Sequence, residues 1–153
     1  MKPASPVPPG FHTLTPHLVV RDAPRAIEFY RRAFGAEETL RMTTPDGTVV
    51  MHAELRIGDS TLMLAEEDPR MDSASPLAVG GTSVTLTLYV EDADALFARA
   101  TGAGASALLP PTDMFWGDRY GQVSDPFGHR WAIATHVRDV TPEEMQRAMA
   151  AMG

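Results

Sequence analysis

Four residues of this chain carry imidazole or carboxylate groups in a spacing that could support metal or proton chemistry: His17, His52, Glu54 and His136. Histidine and glutamate are common ligands of divalent metal ions, and both act as proton donors and acceptors in catalysis. A metal ion needs three or four such ligands within about 2 Å of one point. Spacing alone does not show that these side chains meet, so they form an alternative metal site and not the leading one.

A second group of residues is aromatic and cationic, and occurs in the run FWGDRYG at residues 115–121. Trp116 offers a flat apolar surface, and Arg119 offers a guanidinium that could hold a carboxylate or stack on a ring. Apolar walls with a few fixed polar groups are typical of small-molecule sites. The same pattern also fits an indole that fills the core and a guanidinium paired with a nearby aspartate. The predicted ligand-binding residues are Trp116, Arg119, Tyr120, His17 and His52.

The elements that must position these groups are predicted to be strands. Side chains two residues apart on a strand share a face. His17 therefore shares a face with Thr15 on a strand predicted over residues 14–20, and His52 shares a face with Glu54 on a strand predicted over residues 48–57.

The chain also contains an internal repeat, because residues 20–64 are echoed at a spacing of 70 by residues 90–134. Val20 and Asp22 return as Val90 and Asp92, and Gly58 returns as Gly128. Each unit of about 65 residues is too small to bury a good core alone, but two paired units suffice. The seam between the units is where a shared cavity is expected.

Each repeat is predicted to run strand, helix and three strands. Asp22 and Asp92 are expected to cap the two helices, and glycines end them. The predicted organisation is a flexible tail over 1–11, one domain over 12–137 with modules at 13–67 and 83–137 joined by a connection at 68–82, and a C-terminal helix within 138–153. Thr141 and Pro142 carry the start signal of that last helix, whose methionines lie along one face.

Composition excludes several functional classes. The formal charge is −7 with a single lysine, which argues against nucleic acid as a partner. No apolar run is long enough to span a membrane and no secretory signal is visible, so a cytoplasmic location and no membrane partner are predicted. The chain has no cysteine, which excludes thiolate chemistry within it.

The phrases AIEFYRRAFGAE and SDPFGHRWAIATH, set in two copies of strand, helix and three strands, resemble the vicinal oxygen chelate superfamily, which includes glyoxalase I, extradiol dioxygenases and bleomycin-resistance proteins. The run FWGDRYGQVSDPFGHRWAIATH is similar to the PhnB-like branch of that superfamily. The resemblance implies an α+β fold in which two βαβββ modules form one curved, mostly antiparallel sheet around a cleft. It also implies a homodimer.

The resemblance further implies where metal ligands would lie, near the start of the first strand and in the last strand of each module. Those positions here are Thr15, Leu62, Thr85 and Ala132. None offers an imidazole or a carboxylate, so no metal and no other cofactor are predicted. The alternative is a divalent ion moved onto His17, His52, Glu54 or His136.

These observations give three hypotheses of function. The leading one is a metal-independent protein that binds a planar or aromatic small molecule, so that sequestration, resistance or sensing follows from binding alone; this favours a role without catalysis but leaves catalysis open. The alternative is a glyoxalase- or dioxygenase-like lyase or oxygenase that uses the relocated ion. The third is a regulatory module that engages another protein through its methionine-rich helix.

Overall fold

Helices and strands follow the predicted order twice in the computed structural model, which describes residues 1–153. The chain forms two units, residues 1–82 and 83–153. The first contains β1 His17–Val20, α1 Ala23–Phe34, β2 Glu37–Thr43, β3 Val50–Ile57, β4 Ser60–Glu66 and the short α2 Pro76–Val79. The second contains β5 Thr85–Tyr89, α3 Ala93–Ala103, β6 Ser106–Asp113, β7 Asp118–Ser124, β8 Arg130–His136 and α4 Pro142–Met152. The predicted α+β class with two βαβββ modules and a C-terminal helix is confirmed.

Each unit builds its own four-stranded sheet, in the orders β1-β4-β3-β2 and β5-β8-β7-β6. The first strand of each unit pairs in parallel with the last, and the other pairs are antiparallel. In the first sheet the buried Leu55 and Leu64 alternate with the half-buried Glu54 and Met63, and α1 contacts β3 and β4. Each sheet therefore has one face covered by a helix and one face left open by it.

The local signals around α1 explain why its predicted start and end are confirmed. Asp22 lies in the left-handed region at φ 70°, and its carboxylate accepts from the Arg25 N–H. The Glu66 carboxylate, at the end of β4, accepts from the backbone N–H groups of Asp22 and Ala23 at 2.7 and 3.0 Å. Gly35 ends the helix at φ 68°. The first donors of the helix, which have no partner within it, are thus satisfied by two carboxylates.

The predicted tail and connection both contact the first sheet. The Gly10 carbonyl accepts from the Thr61 hydroxyl at 2.7 Å, and the His12 ring contacts the Asp59 carbonyl at 2.9 Å. The connection at 68–82 contains a 3₁₀ turn at Pro69–Met71 as well as α2.

The outer strand β6 is longer than the strand that the sequence predicts around residues 107–109. It continues through Pro110 and Pro111, and its pairing with β7 is irregular between Leu109 and Thr112. Proline has no N–H to donate to a ladder, so it is tolerated in a strand at the edge of a sheet.

The spacing of 70 does not hold through the whole repeat. This can be seen from residues that are paired side by side across three neighbouring strands. In the first sheet they are Leu18, Leu64 and Ala53, and in the second the corresponding residues are Leu88, Ile133 and Gly121. The separations between corresponding residues are 70, 69 and 68.

Two differences in length cause this change in spacing. From Leu18 to Ala53 the first unit advances 35 positions, but from Leu88 to Gly121 the second advances only 33. The loop before the last strand restores one position, because it has five residues between the paired Ser124 and Arg130 but four between the paired Arg56 and Thr61.

This shift corrects one predicted equivalence. His17 pairs with Met63 in the first sheet, and the matching Thr87 pairs with Ala132 in the second. The counterpart of Ala132 is therefore Met63, and the assignment to Leu62 was wrong. Because one residue along a strand reverses the face, Leu62 lies with the buried side chains.

Candidate functional site

The open face of the first sheet carries the predicted imidazole and carboxylate groups. The rings of His17 and His52 are stacked with centroids 6.1 Å apart and an angle of 16° between their planes. His52 Nε2 lies 3.3 Å from Glu54 Oε1. Partial burial of the His17 ring, followed by the charge of His52, lowers the pKa of His17 below the usual imidazole value. The structure thus brings together three of the predicted residues, from β1 and β3, on one face of the first sheet.

A cavity of about 480 Å³ adjoins this face in the first unit. It lies where β4 ends, between the start of β3 and the 3₁₀ turn of the connection. Its polar lining includes His17, Glu66, Glu67, Asp68 and Arg70. Its apolar lining includes Val49, Val50, Met51, Ala65 and Met71.

The three carboxylates of this cavity are held in different ways. Glu67 accepts from Arg21 Nε at 2.7 Å and from the Ser75 hydroxyl, and these bonds, the one from Ser75 first, lower the pKa of Glu67. Asp68 pairs with Arg70 through two bonds of 3.0 Å. Glu66 accepts only the two backbone N–H groups described above at the start of α1.

Sequence reasoning missed this cavity because it treated residues 68–82 as a bare connection. The available signal was the pair of short cap motifs, Asp68 before Pro69 and Ser75 before Pro76, which mark ordered turns. Those caps hold the connection in a defined path, and that path supplies one wall of the cavity.

In the second unit, a buried carboxylate organises the aromatic run. Asp118 is 3% exposed and accepts from Tyr89 OH at 2.9 Å, Trp116 Nε1 at 3.0 Å and His136 Nδ1 at 2.8 Å. Burial alone would raise the pKa of Asp118, but the hydrogen bonds from His136, Tyr89 and Trp116 outweigh it and lower that pKa. Trp116 also packs edge-on against Tyr120, with centroids 5.5 Å apart.

Arg119 lies on the opposite face of β7 from Tyr120, because the two are adjacent on the strand. Its guanidinium donates to both carboxylate oxygens of Asp94, in α3, at 3.1 and 3.0 Å and to Asp113 at 3.3 Å. The sequence suggests Asp118 or Asp125 as the aspartate partner of Arg119, whereas the structure pairs it with Asp94 and Asp113. The predicted role of Arg119 in ligand binding stays a prediction, and its donors are engaged by two carboxylates in this structure.

His136 bridges two aspartates, since its Nε2 lies 2.7 Å from Asp139 Oδ1 while Nδ1 faces Asp118. These bonds, the one to Asp139 first, raise the pKa of His136. Because the pKa of His136 is higher in the folded protein than in the unfolded chain, the bridge stabilises the fold fully at pH values below about 6.5, the pKa of an unfolded-state histidine. That stabilisation is lost as the pH rises through the pKa of His136 in the folded protein.

We therefore expect the stability difference between the wild type and His136→Gln to shrink as the pH rises above about 6.5. Urea unfolding of both proteins across that range measures it, and an NMR titration gives the pKa directly. A His136 pKa below 6.5, or a difference that grows with pH, would contradict the bridge.

The arrangement of candidate metal ligands can be stated for the whole chain. No group of three or more histidine, cysteine, aspartate or glutamate side chains has a geometry that could hold a metal ion. Of the alternative set, His17, His52 and Glu54 are neighbours in the first unit, whereas His136 lies in the second between two aspartates. The open faces instead present rings and hydrogen-bonding groups, which suit stacking and polar contact with an organic molecule.

Comparison with known proteins places these features in context. The family model described as Glyoxalase/Bleomycin resistance protein/Dioxygenase superfamily matches residues 10–133. The uncharacterized protein Mb0911c of Mycobacterium bovis is 49% identical over 143 residues, which cover 92% of this chain and 93% of that protein. None of the helices is long and apolar enough to cross a membrane.

Two solved structures share the fold at appreciable identity. TioX from Micromonospora sp. ML1 superimposes with a TM-score of 0.66 at 30% identity, covering 82% of this chain and 99% of TioX. The At5g48480 gene product of Arabidopsis thaliana gives a TM-score of 0.65 at 29% identity, covering 81% of this chain and 98% of that protein.

Proposed function

Because the chain belongs to the glyoxalase, bleomycin resistance protein and dioxygenase superfamily, we propose that it uses this fold to bind a planar organic molecule without a metal ion. The observation that carries the proposal is the absence of imidazole and carboxylate from Thr15, which lies just before β1, and from the strand positions Met63, Thr85 and Ala132. Hydroxyl, thioether and methyl groups are weak or unsuitable ligands for a divalent ion. Binding alone then gives sequestration or resistance.

The second unit offers the better-defined stacking surface. The Trp116 indole is fixed by its bond to Asp118, and Tyr120 packs against its edge. The Tyr120 hydroxyl accepts from Gln122 Nε2 at 2.7 Å. Rings that are already held in place lose little freedom when a ligand stacks on them, which favours affinity.

The first unit contributes the stacked imidazoles of His17 and His52. Because the pKa of His17 is lowered, this ring is neutral at pH 7 and can accept or donate a hydrogen bond. Trp116 and Tyr120 in the second unit, and His17 and His52 in the first, are thus the residues proposed to contact a ligand, each pair within its own unit. Arg119 would join them only by leaving its carboxylate partners.

A thermal-shift screen of planar heteroaromatic compounds in EDTA tests this proposal. We expect at least one compound to bind with the same Kd in EDTA and in added Mn²⁺, and to lose about tenfold in affinity, or about 1.4 kcal/mol, on Trp116→Leu or His52→Ala. His129→Ala removes an imidazole from the β7–β8 turn and serves as the matched control.

The opposite result supports the alternative enzyme. About one equivalent of a divalent ion held tightly per chain and lost on His52→Ala would overturn metal-independent binding. It would favour a lyase or oxygenase with His17, His52 and Glu54 around the ion.

A further inference from the structure

The cavity at the end of β4 combines an apolar wall with one carboxylate that has no cationic partner. We infer that it binds a monocationic amine with an apolar body, an inference that rests on the proposed small-molecule function. Of the predicted ligand-binding residues, only His17 lines this cavity. Three features of its lining carry the inference.

The first feature is size and apolar character. A volume of about 480 Å³ lies within the range of roughly 300–1,000 Å³ typical of small-molecule sites. Val49, Val50 and Ala65 supply aliphatic surface, and Met51 and Met71 supply flexible, polarizable thioethers. Methionine adapts to ligands of irregular shape and contacts aromatic rings favourably.

The second feature is the charge balance. Asp68 is neutralised by Arg70, and Glu67 is neutralised by Arg21, so two of the three carboxylates already have a cation. The third, Glu66, accepts only backbone N–H groups, and the helix start that supplies them offsets about half a unit charge. A net negative charge therefore remains, and a cation would lower its energy.

The third feature is free acceptor capacity. Each oxygen of Glu66 accepts one N–H and keeps a second lone pair. His17, which also lines the cavity, adds no positive charge at pH 7 because its pKa is lowered. An ammonium group could thus donate to Glu66 while its apolar body lies on the methionine wall.

An anion is disfavoured at the same place. The only guanidinium in the lining, Arg70, is held by both oxygens of Asp68 at 3.0 Å. A bare divalent ion is also disfavoured, since two of the three carboxylates are paired with arginine and no group of three or more candidate metal ligands is present.

The experiment uses three probes of matched size: phenylbutylamine, phenylbutanoate and phenylbutanol. Spectra of the protein labelled at the methionine methyl groups report the cavity through Met51 and Met71, and the indole N–H of Trp116 reports the second unit. We expect the amine to shift Met51 and Met71 and to bind at least tenfold more tightly than the anion.

Two variants change the charge of the cavity lining and test whether that charge selects the amine. Glu66→Gln keeps an oxygen for the helix start but removes the charge, and should weaken amine binding about fivefold or more. Met51→Lys places a cation on an exposed part of the wall and should reverse the preference toward phenylbutanoate. Glu143→Gln, in α4, is the control and should change nothing.

Equal binding of amine and anion, or shifts of Met51 and Met71 by added Mn²⁺ alone, would overturn the inference. If planar compounds perturb Trp116 while the amine leaves Met51 and Met71 unmoved, the inference fails and the proposed function stands. If every planar compound needs Mn²⁺ to bind, the proposed function fails. The need for Mn²⁺ distinguishes this outcome from a failure of the amine inference, which is measured by the signals of Met51 and Met71.

Discussion

Replacing Asp118 by alanine should lower the free energy of unfolding by about 3 kcal/mol or more. The change leaves the donors of Tyr89, Trp116 and His136 without the carboxylate that now accepts from all three. Hydrogen bonds to a charged group contribute about 1.5–3 kcal/mol each, and the exposed side chains of Tyr89 and His136 can recover only part of that from water. Urea unfolding at pH 7 measures the loss.

Two companion variants make this result specific. Asp118→Asn keeps one acceptor oxygen, so it should lose less stability than the alanine variant. Asp113→Ala removes an exposed carboxylate from β6 and should change the free energy of unfolding by no more than about 1 kcal/mol. A loss below about 1 kcal/mol for Asp118→Ala would contradict the described network.

The second large effect is expected for Gly117→Ala, which should lower the free energy of unfolding by about 3 kcal/mol or more. An added Cβ would lie 2.2 Å from the Arg138 carbonyl oxygen, and Gly117 has φ 101°, where residues with a side chain are strained. The Gly117 carbonyl also accepts from the N–H groups of Val137 and Arg138, so the backbone cannot move away without losing those bonds.

Gly102→Ala is the matched control for this change. Gly102 lies in α3, and nothing lies within 4 Å of an added Cβ. Alanine there should stabilise the protein by about 0.4–1 kcal/mol, because it reduces the freedom of the unfolded chain. Equal effects of the two substitutions in urea unfolding would contradict the close packing at Gly117.

Much of the fold could be predicted because its signals are local. Asp22 and Gly35 mark the two ends of α1, and each acts within a few residues of its own position. Strand alternation likewise placed His52 and Glu54 on one face, where the structure finds them in contact.

The features that sequence reasoning missed depend on contacts between residues that are distant along the chain, or on small differences in segment length between the two repeats. Arg119 pairs with Asp94, which is 25 residues away on a helix, and spacing does not show such a contact. The cavity depends on the path of a long connection, which no periodicity describes. The second unit has two residues fewer than the first between its first strand and β7, and one more in the loop before β8, so the constant spacing of 70 matched Ala132 with Leu62 and not with Met63.

The adjacent prolines of β6 restrict how this protein could aggregate. Growth of a sheet by an incoming chain needs a continuous row of free amide hydrogens along its margin. Pro110 and Pro111 interrupt that row in the second unit, while β2 in the first unit contains no proline. Fibril-like extension or exchange of segments between copies would therefore start at one of the other outer strands, β1, β2 or β5, and not at β6.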